Sequence, residues 1–251
     1  MQNKFFAALA LTALFTASMA AAEPFGMTAS TTPTPRHAPS EPRNGWHVRY
    51  DRNLAGIKTD DRQVDMLLIG DSITHGWENR SADEVLRKYF PKHKIFNMSH
   101  SGDRTEHQLW IVKESAYLNN INPKMTVVLI GTNNIGHNKA GVEATAEGIK
   151  LIVKALRERF PETKVLLFGV FPRAQKPDHP YRAQIKAINK AAQKLADGKN
   201  VFFCDISALL VEKDGSISKE VMPDYLHLSP KGYTIWAEAI LPYAKRFAPV
   251  Q

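Results

Sequence analysis

Short apolar runs alternate with stretches of helical periodicity along most of the chain, and few architectures accommodate that rhythm. The runs cover 65–69 (DMLLI), 94–98 (KIFNM), 125–130 (MTVVLI), 164–170 (KVLLFGV) and 200–204 (NVFFC), each bounded by Gly, Asn or Pro. Short runs of this kind read as buried strands. Between them, helical spacing of apolar residues covers 82–89, 105–118, 141–160 and 181–196, and a last helix is expected from Pro230 to about Phe247. Ser229 before Pro230 fits a helix start, with serine as the cap and proline in the first turn. Strands that are apolar along nearly their whole length need cover on both faces, which in chains of alternating β and α means a parallel sheet between two helical layers. The expected fold class is α/β: a three-layer α/β/α sandwich with a five-stranded parallel sheet.

Composition narrows the chemistry. With 43% hydrophobic and 23% charged residues among 251, the chain is ordinary globular material. Its single cysteine, Cys204, rules out an internal disulfide, a CxxC redox pair and a zinc cluster built from thiolates. The net charge of +8 permits loose attraction to anions, but Lys and Arg are spread along the chain, so no nucleic-acid surface is expected.

The first 45 residues follow a different pattern. Lys4, the uncharged apolar stretch 5–16 and small residues at 18–22 have the layout of a secretory signal, so residues 1–22 are expected to be removed on export to the periplasm or medium. After cleavage no stable membrane insertion is expected, because alanines and threonines dilute the apolar run. Residues 23–45 carry Pro24, Pro33, Pro35, Pro39 and Pro42 among Ser and Thr, a composition read as a flexible linker. The folded domain is expected to span 46–251.

In parallel sheets ligands bind beyond the carboxyl ends of the strands. Glycine-rich polar clusters fall there after the first three runs: Gly70-Asp71-Ser72, Ser99 to Asp103, and Gly131 to Asn134; Asp224-Tyr225-Leu226-His227 follows the fifth. Ser72 is a candidate nucleophile or a plain helix cap. The sequence around it lacks the second glycine of the G-x-S-x-G elbow, which argues against a standard α/β-hydrolase. A serine nucleophile needs a base and a group to orient that base, and Asp224-x-x-His227 offers both on one loop. Gly102 and Asn133 could supply a backbone and a side-chain N–H to a developing oxyanion together with the N–H of Ser72, or be a turn glycine and an Asx-turn residue. No H-E-x-x-H or Cys/His framework suggests a metal, and no cofactor is expected.

Four blocks, GDSIT at 70–74, SGDRTEHQLW at 101–110, GTNN at 131–134 and DYLHLSPKGY at 224–233, resemble in order the signature blocks of the GDSL, or SGNH, hydrolases. Within that family the GDRTEHQLW and GTNN versions look most like the platelet-activating-factor acetylhydrolase catalytic-subunit branch and its secreted bacterial esterase relatives. The resemblance implies a flavodoxin-like sheet, no metal, Ser72 as nucleophile, His227 as base, Asp224 as the orienting acid, and Ser72, Gly102 and Asn133 as the oxyanion hole. Asn134, where many members carry Asp, favours this branch over the thioesterase-type branch. The stretch 135–138 looks longer than in the acetylhydrolase subunits and is expected, with 171–179, to shape the acyl pocket.

The expected function is a secreted serine esterase acting on short-chain esters, acetyl foremost, of a small molecule or glycan. Asp71, His75, Trp77, Arg173 and Tyr225 are the expected substrate contacts. A lipid esterase is the nearest alternative, although no long apolar lid is evident; a non-catalytic glycan-binding protein would have no need of Ser72, Asp224 and His227 together.

Overall fold

The computed structural model describes residues 26–37, 42–57, 63–136 and 140–250; the expected signal 1–22 lies outside the described residues. Five strands, β1 (Gln63–Gly70), β2 (Ile95–Asn97), β3 (Asn122–Leu129), β4 (Lys164–Phe168) and β5 (Val201–Cys204), form one sheet in the order β2-β1-β3-β4-β5, with every neighbouring pair parallel. This is the flavodoxin-like order, whose reversal point lies between β1 and β3.

Alternation along the strands sends side chains into two separate cores. Leu67, Ile69, Val128, Val165 and Leu167 meet one helical layer. This layer is built from α5 (Thr105–Glu114), α7 (Val142–Arg159) and α8 (Pro180–Gln193). Met66, Leu68, Val127, Leu129, Leu166 and Phe168 meet the other, where α4 (Arg80–Tyr89) and α9 (Pro230–Phe247) pack. Trp236 of α9 is fully buried among Phe168, Phe171, Trp77 and Tyr233. Truncating a buried aromatic of this size typically costs about 3–5 kcal/mol, so α9 is a structural half of the core and not an appendage. Its start is as expected: the Ser229 hydroxyl oxygen accepts from Gly232 N–H at 3.2 Å, and Pro230 occupies the first turn.

Two elements depart from expectation. The helical pattern at 105–118 is broken: α5 ends at Glu114 and a 3-10 turn follows over Ala116–Asn120. The larger difference lies ahead of the domain. Residues 26–37, expected within a flexible linker, are packed: α1 (Met27–Thr31) lies against α5 and α7, and Ser30 is fully buried with its carbonyl accepting from the Thr105 hydroxyl at 2.8 Å. Composition misses this because the contacts are polar and specific instead of apolar. A further helix, α2 (Gly45–Ile57), begins where the domain was expected to start and packs Trp46, Tyr50 and Leu54 on the core.

At the start of α5, the backbone N–H of Arg104 donates to His107 Nδ1 at 3.0 Å, which needs an unprotonated imidazole nitrogen. Burial and the neighbouring Arg104 charge hold the His107 pKa down at about 3, against 6.5 for the free side chain. Below that free value an unfolded chain takes up a proton that the folded one refuses, so this contribution to stability is present above about pH 6.5 and lost as pH falls toward 3. In His107→Gln the amide oxygen can accept the same N–H without titrating. Its urea midpoint should therefore fall less between neutral pH and pH 4.5 than that of the parent protein, and equal falls would show that His107 is not proton-linked to folding.

Candidate active site

β1 ends at Gly70, where a Cβ would collide with the Thr74 side chain and the Leu129 carbonyl, so only glycine lets the next turn fold back over β3. Asp71 then caps the short helix α3 (Ser72–His75), its Oδ1 accepting from Ile73 N–H at 3.0 Å. The hydroxyl of Tyr233, on α9, donates to the Ile73 carbonyl at 2.7 Å, and Asn97 Nδ2 donates to that of Thr74 at 3.0 Å. Ser72 thus stands on a single helical turn fastened to α9 and to the edge strand β2.

The loop ahead of α9 supplies its partner. Asp224 Oδ1 accepts from the backbone N–H groups of Leu226 at 3.1 Å and His227 at 2.7 Å, and its Oδ2 lies 2.6 Å from His227 Nδ1. Burial alone would raise the Asp224 pKa, but the hydrogen bonds from the His227 ring and backbone prevail and hold it below the ordinary carboxylate value. An ionised carboxylate only accepts, so Nδ1 carries the proton and Nε2 presents a lone pair. Nε2 lies 2.8 Å from Ser72 Oγ, the distance at which a hydroxyl donates its proton. The structure brings Ser72, His227 and Asp224, named together in the sequence analysis, into one hydrogen-bonded chain.

Gly102 follows β2 with φ +80, in the left-handed region, and the Arg36 guanidinium occupies the space its Cβ would need. Asn133, on α6 (Thr132–Gly136) after β3, is 2% exposed, and one hydrogen of its Nδ2 is held by the Asp103 carbonyl at 2.9 Å. Asp103 is in turn anchored through its side chain: Gln108 Nε2 donates to Oδ2 at 2.6 Å, Trp46 Nε1 to Oδ1 at 3.3 Å, and Arg36 stands 3.5 Å from Oδ1. Burial pushes its pKa up to about 7 despite these partners. Asn134 joins the second and third blocks: Thr105 N–H donates to its Oδ1 at 3.0 Å, and its Nδ2 donates to the Thr105 hydroxyl at 2.8 Å and to Ser30 Oγ at 3.2 Å. Sequence reasoning used Asn134 only as a branch marker and gave Asp103 and Arg36 no part; the run SGDRT was the one available signal for Asp103.

The five residues expected to touch substrate divide. Trp77 is 1% exposed and packs between Tyr233 and Trp236, so it is a core residue and not a substrate contact. Asp71, also 1% exposed, serves as the α3 cap and is likewise removed from substrate; burial pushes its pKa up to about 7 against the Ile73 N–H bond and the nearby Arg173 charge. His75 is half-buried with Nδ1 2.8 Å from Ser101 Oγ, and burial lowers its pKa to about 4. Arg173 braces the third block, donating to the Thr132 carbonyl at 3.0 Å while its guanidinium lies 4.8 Å from the Tyr181 ring centroid. Tyr225 is half-buried, with φ +62 and its carbonyl accepting from Ala174 N–H at 3.0 Å. Of the segments expected to shape an acyl pocket, Ile135 and Phe171 are buried in the two cores and 137–138 lie outside the described residues.

The profile of the GDSL-like Lipase/Acylhydrolase family matches residues 68–235 of this chain. The platelet-activating factor acetylhydrolase IB subunit alpha1 of Bos taurus is 36% identical over 190 residues, covering 75% of this chain and 78% of the relative. Among solved structures, a GDSL-like lipase from Bacteroides thetaiotaomicron superposes with a TM-score of 0.63 at 18% identity, covering 80% of this chain and 98% of the other. An acetyl xylan esterase gives 0.61 at 16% identity, covering 72% and 99%.

Ala174, which holds the Tyr225 carbonyl, has φ +68. A left-handed non-glycine residue costs roughly 1–2 kcal/mol, and glycine's extra freedom in the unfolded chain offsets about 0.5–1 of that. Ala174→Gly should therefore stabilise the protein by about 0.5–1 kcal/mol in urea unfolding. A loss of stability would show that the Ala174 methyl packs to more effect than its backbone strain costs.

Proposed function

The chain belongs to the GDSL-like lipase/acylhydrolase family, and from that premise we propose that it is a secreted serine esterase that removes short acyl groups, acetyl foremost, from hydroxylated acceptors such as carbohydrates. The relay from Asp224 through His227 to Ser72, at 2.6 and 2.8 Å, carries the reading. In the proposed reaction His227 Nε2 takes the Ser72 proton as Oγ attacks the ester carbonyl carbon. The carbonyl oxygen gains negative charge and is met by the backbone N–H groups of Ser72 and Gly102 and the amide of Asn133. Collapse expels the alcohol, which leaves with the proton from His227, and water attacks the acyl-serine by the same route in reverse. No step requires a metal or cofactor.

The preference for acetyl is supported by the names of the relatives, an acetylhydrolase in sequence and an acetyl xylan esterase in fold. The platelet-activating-factor name keeps a lipid acceptor as the second reading. Among the described residues no helix is long and apolar enough to cross a membrane. Export rests on the N-terminal pattern alone, and amino-terminal sequencing of protein from the periplasm or medium should place the mature start after residues 20–22.

Ser72→Ala should lower kcat/KM by on the order of 10⁴–10⁶, Asp224→Asn by about 10⁴ through misorientation of the imidazole, and Asn133→Ala by about 10²–10³ as one lost oxyanion donor. A folded Ser72→Ala protein that keeps a tenth of the activity would remove Ser72 from the mechanism. Along a series of aryl esters, each methylene that does not fit should cost roughly 1–3 kcal/mol, so butyrate should fall at least about tenfold below acetate. A steady rise from acetyl to octanoyl, with no acetate released from any acetylated glycan, would instead establish the lipid reading.

A further inference from the structure

A cavity of about 420 Å³ has walls that come from two distant parts of the chain. One side is the segment before the sheet, with Arg36 and with Trp46 of α2; the other is His75, His100 and Ser101 from the loops that follow β1 and β2. Two of its lining residues neighbour the site in the chain: His75 is on the same helical turn as Ser72, and Ser101 adjoins Gly102.

Its polar groups have a definite character. His100 is 1% exposed; its Nδ1–H donates to the Met98 carbonyl at 2.9 Å, which leaves Nε2 with a lone pair, and Nε2 has no hydrogen-bond partner. Burial holds the ring neutral, with a pKa of about 3. A buried acceptor without a donor is costly, which favours a ligand or water that supplies one. An anion cannot do so. Arg49, also in the lining, is already spent: it donates to both Glu78 carboxylate oxygens, at 2.6 and 2.7 Å, and to the Ser99 carbonyl at 2.8 Å. Arg36 donates to the Ser101 carbonyl and pairs with Asp103, engaging part of a guanidinium that has several N–H groups. His100, Arg36 and Ser101 therefore line one space beside the Trp46 ring, which lies 5.0 Å from that of His100. The group that both donates and accepts is a hydroxyl, and several on one ring would satisfy all of these partners.

We propose that this cavity is the alcohol-side subsite of the esterase and takes the neutral, polyhydroxylated ring from which the acyl group is removed, with His100 accepting from it and Arg36 donating to it. The proposal rests on the esterase reading and deepens it. Residues 26–37 and α2 then belong to the active site.

Gly45 lines the cavity, and a Cβ there meets nothing within 4 Å, so Gly45→Phe is the substitution chosen to place bulk at its wall. The test compares kcat/KM for an acetylated methyl glycopyranoside with that for 4-nitrophenyl acetate, in the full chain and in Gly45→Phe and Arg36→Ala. Both substrates share the acyl group and the serine chemistry. The ratio of glycoside to aryl ester should fall at least about tenfold in each variant, through a raised glycoside KM. Equal losses on both substrates would overturn the subsite and leave Arg36 as a prop for Gly102. Saturation-transfer NMR with the unacetylated methyl glycopyranoside reads the cavity without turnover: signal in the parent protein that Gly45→Phe abolishes supports the proposal, and no signal in the parent overturns it. Failure of the parent to cleave 4-nitrophenyl acetate would instead strike at the esterase reading, while the NMR result still decides the cavity.

Discussion

The parallel pairing of β1 with β3 is the contact on which the other features of the site depend. It runs from Gln63 opposite Asn122 to Gly70 opposite Leu129, and the strands to either side extend it without altering its register. Because the chain leaves β1 toward one edge of the sheet and β3 toward the other, their ends part in opposite directions and leave a crevice. Ser72 leaves β1 on one side of the crevice and Asn133 leaves β3 on the other. Gly70, with no Cβ, lets the end of β1 lie against the Leu129 carbonyl of β3 and the Thr74 side chain.

Buried polar groups fix what the sheet only brings near. Asp103, without solvent exposure, gathers Gln108, Trp46 and Arg36 through its side chain and holds Asn133 through its carbonyl. Asn134 does the same between Thr105 and Ser30. Networks of this kind specify one arrangement because any half-satisfied alternative leaves a buried group unpaired. The outer parts of the site are held by backbone geometry: Tyr225 and Ala174, both in the left-handed region, are joined by one hydrogen bond between the loop after β4 and the loop that carries Asp224 and His227.

Much of this was legible in the chain. Buried strands announce themselves by apolar runs, and the five expected ones correspond to β1–β5 with small shifts at their ends. Asp224 and His227 were readable as a pair because their interaction spans three residues, and Ser72 because it leaves a strand directly. The family resemblance drawn from four blocks agrees with the profile match over 68–235. What failed has a common physical reason. Trp77 sits near Ser72 in sequence, but the 3-10 turn that follows α3 carries it into the Trp236 core. Residues 26–37 have the composition of a linker because they are held by hydrogen bonds to Thr105, Asn134 and Ser101, and such bonds leave no periodic trace.

The long span between Ser72 and His227 has a kinetic consequence. Ser72 and His227 are 155 residues apart, and the Tyr233 bond that steadies the serine's helix closes a gap of 160. Loop closure over such distances comes late in folding, after the local helices and the neighbouring strands have formed. A chain emerging from a ribosome therefore presents Ser72 long before His227. The Ser72–His227 contact is complete only when the loop ahead of α9 has docked at the end of the sheet.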